Sequence, residues 1–363
     1  MTRKSVITAA VVLAFSSLLA GCYQVGPGSV KSGRTEYNIA IQKTNGQQLL
    51  LNLVRLRYRD TPYFLQVASV STSFEMSANA SVSGFFPKAA PDSFGAGAGV
   101  ELVDKPTITY TPLHGDRFVK QLMSPVDLST VLLLYHSGWS VERIGRILFQ
   151  SINGVANAPR ASGPTPAQPP VYRDFLEVAK LMRSLQTSGK VMLGRAVAHE
   201  GKQEAIEIHL AQGASSSPEW KRLAELLKLP PGRESFHLTA AATGGPGQIA
   251  VVPRSLLTAM YYVSQSVEPP AADCRAGRVT MTRGQDGKVF DWQNLTGGLM
   301  RIRSGVLRPS NAYVSVKYRG SWFYIDDSDL TSKSTFSLLV QLFALQAGDV
   351  KSSGPILTLP VAR

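Results

Sequence analysis

The stretch VSTSFEMSANASV, from Val70 to Val82, decides how this sequence is interpreted. Its even-numbered positions are mostly apolar and its odd-numbered positions are polar, over 13 consecutive residues. Side chains alternate between the two faces of a β-strand, so the pattern predicts a strand with one apolar face. A second alternating stretch, Ala98 to Tyr110, follows a Pro/Gly-rich tip at 85–97 and is interrupted by Asp104 and Pro106. We expect a long antiparallel hairpin over residues 70–110.

Helical and strand-like patterns alternate along the rest of the chain. Before the hairpin, apolar residues at 49–56 predict a helix capped by Thr44-Asn45-Gly46. After the hairpin, three helices are expected over 116–152, and beyond residue 170 the order strand pair then helix occurs three times. Such a set of elements indicates an α+β fold of mainly antiparallel sheets with packed helices.

Composition predicts two folded units. Residues 157–170 contain five prolines among small residues, which is typical of a linker. This linker would join a unit at 35–156, which carries the hairpin, to a unit at 171–363 with the repeated strand pairs and helices. Residues 22–34 contain three glycines and one proline, so we expect a flexible tether there.

The first residues have the layout of a secretory signal. Arg3 and Lys4 precede an almost unbroken apolar run from Val6 to Phe15, which is too short to span a bilayer. The sequence Leu19-Ala20-Gly21-Cys22 then resembles the lipobox of bacterial lipoproteins. This resemblance implies that residues 1–21 are removed as a signal peptide and that Cys22 becomes the first residue of the mature protein, carrying acyl chains such as palmitate.

The lipobox resemblance also implies a location. More than one acyl chain gives lasting membrane attachment. Tyr23 occupies the position where, in lipoproteins, an Asp commonly causes retention at the inner membrane, so the outer membrane and its periplasmic face are implied. The stretch from Tyr313 to Asp327, YVSVKYRGSWFYIDD, resembles segments of uncharacterised lipoproteins of Gram-negative bacteria. That second resemblance brings no known activity with it.

Composition and motifs argue against catalysis. Hydrophobic residues make up 44% of the chain and charged residues 17%, which is enough apolar material for a core. The two cysteines exclude a disulfide-dense scaffold and any multi-cysteine metal site. Nucleophile-elbow, phosphate-loop and H-E-x-x-H patterns are all missing from the sequence, so we predict a non-enzymatic protein without a cofactor. The net charge of +13 favours anionic partners, and an envelope component fits better than nucleic acid.

Two charged clusters are candidate binding sites. Lys317 and Arg319 alternate along one predicted strand and Arg301 and Arg303 along its neighbour, which indicates either a solvated sheet face or a site for an anionic envelope polymer. Carboxylates cluster where a strand gives way to a helix, and they can cap that helix or hold a hard cation. The capping interpretation is preferred for these residues, which are Asp326, Asp327 and Asp329.

Three functions are compatible with these features. The first is a lipid-anchored outer-membrane lipoprotein that faces the periplasm and serves as an adaptor or assembly factor for envelope proteins or anionic polymers. The second is a subunit of an oligomeric outer-membrane pore, to which each chain contributes the hairpin at 70–110. The third, an enzyme acting on envelope polymers, depends only on the acidic cluster.

Overall fold

The computed structural model describes the backbone of residues 25–85, 93–113, 115–195, 205–348 and 357–360. The predicted α+β fold, rich in antiparallel sheets, is confirmed. The helices are α1 (Val25–Arg57), α2 (Asp116–Met123), α3 (Leu128–His136), α4 (Val141–Leu148), α5 (Arg173–Thr187), α6 (Pro218–Leu227), α7 (Leu256–Ser264), α8 (Ala271–Arg275), α9 (Gln293–Thr296) and α10 (Leu330–Gly348). The strands are β1 (Phe64–Phe85), β2 (Ser93–Leu113), β3 (Phe149–Ile152), β4 (Val155–Ala156), β5 (Val191–Arg195), β6 (Ile206–Leu210), β7 (Ser235–Ala240), β8 (Gln248–Pro253), β9 (Arg303–Gly305), β10 (Ala312–Tyr318), β11 (Ser321–Asp326) and β12 (Leu357–Pro360).

The strands form three sheets, with the orders β1-β2-β12, β10-β11-β9 and β4-β3-β8-β7-β6-β5. Strands β7 and β8 run parallel, with His237 paired to Gln248 and Ala240 to Val251. The predicted repeat of three hairpin-and-helix units is therefore wrong at its second member. The Gly/Pro-rich segment at 241–247 returns the chain to the starting end of β7, whereas a tight turn would have made the pair antiparallel.

One hydrophobic core runs through both predicted units. Strand β3, which precedes the Pro-rich segment, pairs with β8, which follows it. Within the segment, Ala158, Ala161 and Thr165 are buried. Residues 157–170 are therefore a packed part of the fold, and the predicted linker between two units is corrected. Composition identified the proline-rich backbone but not the contacts that immobilise it.

Arg254 is the main tie across this segment. Its side chain is fully buried, and its guanidinium lies over the ring of Tyr262 at 4.1 Å. Arg254 follows the Pro-rich segment in the chain, and its N–H groups donate to carbonyl oxygens before that segment and to two groups within it, so it joins all three parts in one core. These acceptors are the backbone oxygens of Arg146, Ile147, Phe149 and Asn157, together with Ser162 Oγ.

Helix α1 is longer than the sequence pattern predicted. The helix passes through the predicted cap at 44–46 and includes 25–34, the described part of the predicted tether. Pro27 falls in the first turn of the helix, where a missing N–H removes no internal hydrogen bond. Gly46 packs against α10 and β10, since an added Cβ would lie 3.7 Å from both Phe336 and Val314. This glycine is a packing position within the helix and does not end it.

The helices after the hairpin follow the prediction with one exception. Helix α2 has the predicted bounds, and Ser140 caps α4 by accepting the backbone N–H of Arg143 at 3.5 Å. The helix expected over 140–152 nevertheless ends at Leu148, and its last four residues form β3. Pairing with β8 outweighs the weak helical preference of this short stretch.

Candidate assembly site: the long hairpin and its helix

Two side-chain amides of α1 fix the start of the hairpin. Gln48 Oε1 accepts the backbone N–H of Leu65 at 2.6 Å, and Gln48 Nε2 donates to the carbonyl oxygen of the same residue at 3.0 Å. Asn52, one helical turn later, makes the same pair of bonds to Tyr63, at 3.0 and 2.8 Å. The amide clamp, as we name these two residues, occupies the backbone groups that a neighbouring strand would otherwise use.

The amide clamp also sets the direction of the hairpin. The earlier residue of α1, Gln48, bonds to the later backbone position, Leu65. The later residue of α1, Asn52, bonds to the earlier position, Tyr63. Strand β1 therefore leaves the clamp antiparallel to α1, toward the side where the helix begins at Val25. The predicted lipid-bearing residue, Cys22, is three positions before that start.

Aromatic rings fix the base of the hairpin to the body. Phe64 is buried, and its ring centroid lies 4.7 Å from that of Phe343 in α10 and 5.9 Å from that of Phe118 in α2. Leu113, its partner on β2, is also buried. These ring contacts with α2 and α10, together with the buried partner on β2, make the base of the hairpin part of the core.

The hairpin is confirmed and is longer than predicted. Strands β1 and β2 pair from Phe64 with Leu113 to Phe85 with Ser93, and the pairing continues through Asp104 and Pro106. The interruption expected at those two residues is absent from the described ladder, and the only register shift lies between 67 and 69. Of the tip predicted at 85–97, residues 85 and 93–97 are strand, while residues 86–92 lie outside the described part.

The register preserves the alternation seen in the sequence. Val70 pairs with Ile108, Met76 with Leu102 and Ala78 with Val100, while Ser71 pairs with Thr107 and Ser77 with Glu101. Directly opposite residues belong to the same face of an antiparallel pair. The hairpin thus carries one largely apolar and one largely polar set of positions.

The edges of the hairpin are largely open. Among the strands that the structure describes, β1 has no second neighbour, and β12 covers only residues 107–110 of β2. An unpaired edge presents backbone N–H and C=O groups to any strand that approaches it. The described strands therefore leave the hairpin beyond its base without a neighbour, as pairing with another chain would require.

The predicted basic residues lie on β9, on β10 and in the segments beside these strands, and three of the four are ion-paired. Arg301 Nε lies 2.5 Å from Glu268 and Arg303 Nη1 lies 3.8 Å from Asp326. Arg319 Nη2 lies 3.0 Å from Asp60 Oδ2, and Lys317 is exposed. Arg301 lies outside β9 and Arg319 lies in the turn after β10, so the predicted placement on two neighbouring strands holds for Arg303 and Lys317 alone. Carboxylates already compensate the three arginines, which weakens this surface as an anion site.

The predicted acidic residues bond to nearby backbone and side chains. Asp329 Oδ1 accepts the backbone N–H of Ser332 at 2.9 Å, which is the geometry of a helix cap. Asp326 accepts the N–H and hydroxyl of Ser328, at 3.0 and 2.6 Å, and these bonds lower its pKa. Asp327 pairs with Lys333 at 2.7 Å. Within the described residues, no three His, Cys, Asp or Glu side chains are grouped as a metal site would require.

The lipid-attachment residues Leu19, Ala20, Gly21 and Cys22 lie outside the described residues, so Cys22 as the lipidation site stays a prediction. Cys274, the second cysteine, is a free and half-buried thiol. No helix in the described ranges combines the length and the apolar character that a bilayer crossing requires.

The amide clamp is the feature that sequence reasoning missed. Its signal was present, because Asn52 interrupts the apolar run Leu49-Leu50-Leu51 and Leu53-Val54, and Gln48 precedes it by one helical turn. Comparison with known proteins adds nothing to this site: no family model, no curated protein and no solved structure matches the chain.

Proposed function

We propose that this chain is a lipid-anchored lipoprotein of the outer membrane, facing the periplasm, that acts without catalysis as an adaptor or assembly factor. Its docking element is the hairpin β1–β2, and its partner is another envelope protein. One observation carries the proposal: a hairpin with 21 paired positions, whose edges the described strands leave largely uncovered, is clamped to the helix that follows Cys22 in the chain.

Physical chemistry favours a partner for this hairpin. A two-stranded hairpin without further strands is marginally stable in water. Its open edges can accept a strand from another protein, whose main-chain hydrogen bonds supply affinity. The net charge of +13 adds long-range attraction to an anionic surface and speeds the encounter with acidic partners.

The anchor is tested by the variant Cys22→Ser. We expect it to lose the mass of the acyl chains and to leave the membrane fraction, because the thiol is the proposed attachment atom. Unchanged mass and unchanged membrane retention would refute the lipoprotein assignment. The wild-type protein, treated in the same fractionation, is the reference.

The docking element is tested by crosslinking in intact cells. A photo-reactive residue is placed at Ser77 on the hairpin and, as a control, at Val171, which is 72% exposed on the body. We expect the Ser77 probe to give an adduct with a different envelope protein and the Val171 probe to lack that adduct. Absence of any Ser77 adduct would refute docking through the hairpin.

A second candidate, the subunit of an oligomeric pore, is favoured by the reach of the hairpin. A straight strand from Leu65 to Phe85 extends up to about 65 Å at ~3.3 Å per residue. Helix α1 extends about 35 Å from Gln48 back to Val25 at ~1.5 Å per residue. The hairpin tip would thus pass the helix start by about 30 Å, which is the thickness of a hydrocarbon core.

Substitutions of opposite parity distinguish the two candidates. In a membrane-inserted hairpin, Ala78→Arg should lower the stability by about 2–4 kcal/mol at the bilayer midplane, whereas Asn79→Arg, at one of the polar odd-numbered positions, should be tolerated. For an adaptor we expect both variants to remain folded and lipidated, and the wild type to show no conductance in planar bilayers. Channel steps that vanish in Ala78→Arg and persist in Asn79→Arg would replace the adaptor with the pore.

A further inference from the structure

The β1 edge becomes open at Val67, directly after the amide clamp. The clamp occupies the outward backbone groups of Tyr63 and Leu65. Backbone groups that face one edge of a strand recur every second residue, so the N–H and C=O of Val67 are the next pair on this edge. In the described part of the chain, no side chain and no backbone group outside the β1–β2 ladder bonds to Val67.

An apolar cavity lies at the same point of the β1 edge. Its volume is about 290 Å³, and it is bounded by residues 64–67 of β1, by α1 and by α10. Its apolar walls include Leu49, Leu65, Val67, Val340, Phe343 and Ala344, and no charged residue of the described chain borders it. We name it the edge cavity. An apolar cavity of ~150 Å³ holds one benzene-sized group, so the edge cavity has room for about two apolar side chains.

An open strand edge beside an apolar cavity is suited to an extended segment. The backbone of such a segment would pair with the N–H and C=O of Val67, and its apolar side chains would fill the cavity. This is the usual division of strand addition, in which main-chain bonds supply affinity and pockets for side chains supply specificity.

Strand β12 forms the opposite edge of the same sheet, at the same level. Tyr110 of β2 pairs with Val67 on one side and with Leu357 of β12 on the other. Laterally paired residues share a face of the sheet, so apolar positions form a row across the three strands. The next such row consists of Val70, Ile108 and Leu359. No described strand pairs with the outer edge of β12.

We propose that copies of this chain associate head to tail through the base of the hairpin, with β12 of one copy added to the β1 edge of the next. Strand β12 runs parallel to β1, since both are antiparallel to β2, so a copy in the same orientation adds by parallel pairing. Leu357 of one copy then lies at the level of Val67 of the next, and the apolar start of β12 enters the edge cavity. The apolar rows continue from one copy into the next.

Two properties of the sheet favour a second copy as the occupant. Its two open edges are unlike, so each added copy presents a new β12 edge, as head-to-tail association requires. Pro360, which has no N–H, limits the added pairing to the first part of β12. The contact uses only the base of the hairpin and does not depend on what its distal part binds.

Disulfide trapping between two copies tests the contact. Ser69 and Thr358 pair with Thr109 from opposite sides, so they are neighbours across the interface of the joined sheet. Adjacent strands lie ~4.8 Å apart, which is within the Cα separation that a disulfide spans. Two differently tagged full-length copies are expressed in the same cells, both with Cys274→Ser, one with Ser69→Cys and the other with Thr358→Cys. After treatment of intact cells with a mild oxidant, we expect a disulfide-linked dimer that carries both tags.

Matched variants separate this contact from chance collision. Val171→Cys, at a position that is 72% exposed on the body, replaces Ser69→Cys in a control pair that should give no mixed dimer. Ala344→Trp, which fills the edge cavity, should lower the yield of mixed dimer at least about tenfold, because excluding one leucine-sized side chain from an apolar site removes that much affinity. Leu345→Trp adds a tryptophan at the next exposed position of α10, outside the cavity wall, and should leave the yield unchanged.

Several outcomes would overturn the proposal. These are the absence of a mixed dimer from the Ser69→Cys and Thr358→Cys copies, an equal yield from the Val171→Cys control pair, and an equal effect of Ala344→Trp and Leu345→Trp. A Ser69→Cys adduct with a different protein, in place of the mixed dimer, would assign the β1 edge to a foreign strand and would overturn self-association. The comparison of the two cysteine pairs decides the question even if Ala344→Trp fails to fold.

Discussion

Removing the amide clamp should loosen the base of the hairpin, and the structure sets the size of the effect. Asn52 has no exposed surface, and its side chain makes two hydrogen bonds to the backbone of Tyr63. Each such bond contributes about 1 kcal/mol net, so we expect Asn52→Ala to lower the free energy of unfolding by about 2 kcal/mol. Gln48→Ala should cost about 1–2 kcal/mol, because its two bonds are equivalent but its side chain is only partly buried.

Urea unfolding gives these free energies, and hydrogen exchange followed by mass spectrometry locates the change. Exchange should increase at Tyr63 and Leu65, whose N–H groups the clamp occupies. Asn45→Ala, at an exposed asparagine on the same helix, is the matched control and should change stability by less than about 0.5 kcal/mol. If Asn52→Ala unfolds like this control and exchange at Tyr63 stays unchanged, the clamp does not fix the hairpin.

Two further predictions concern the acidic residues. Asp329→Asn should change the free energy of unfolding by no more than about 1 kcal/mol, since asparagine also caps helices. Calorimetry should detect no calcium binding by the wild type or by the variant. Stoichiometric calcium binding by the wild type that the variant loses would contradict the capping role. Burial raises the pKa of Asp273, but hydrogen bonds from Tyr58 at 2.5 Å and Arg278 at 2.7 Å hold it below its usual value. The resulting stability is present above the unfolded pKa of about 3.9 and is lost as pH falls below it. Asp273→Asn should therefore destabilise the protein at pH ~7 by about 2 kcal/mol, and unfolding at a series of pH values should show this difference shrinking below pH ~4; a constant difference would contradict the linkage.

The sequence pattern was sufficient for elements that depend only on residues close together in the chain. Alternation over Val70 to Val82 predicted β1 and its pairing partner, because period two has a single simple explanation. Arg319-Gly320 forms the turn between β10 and β11, and both residues have positive φ, at 47° and 85°. Such values are those of the tight turn that suits a two-residue hairpin.

Features that depend on distant partners could not be predicted in this way. The prolines at 157–170 have the composition of a linker, but residues far along the chain pack the segment, among them Arg254, about 90 residues later. The parallel pairing of β7 and β8 was missed because alternation does not encode strand direction.

The direction of the hairpin relative to α1 bears on both proposed functions. The amide clamp aligns β1 antiparallel to α1, so the hairpin leaves the body toward the helix start, and Cys22 is three residues beyond that start. If Cys22 carries acyl chains, the hairpin is directed at the membrane surface or at proteins that lie on it. The backbone groups and apolar positions that the described strands leave without a partner can be covered by lipid, by further copies of the chain or by a neighbouring protein. Contact with lipid would require an apolar residue at Ala78 and tolerate a charge at Asn79, whereas contact with protein or water would not separate the two positions in this way. The choice between adaptor and pore therefore depends on which alternate positions of the hairpin tolerate a charge.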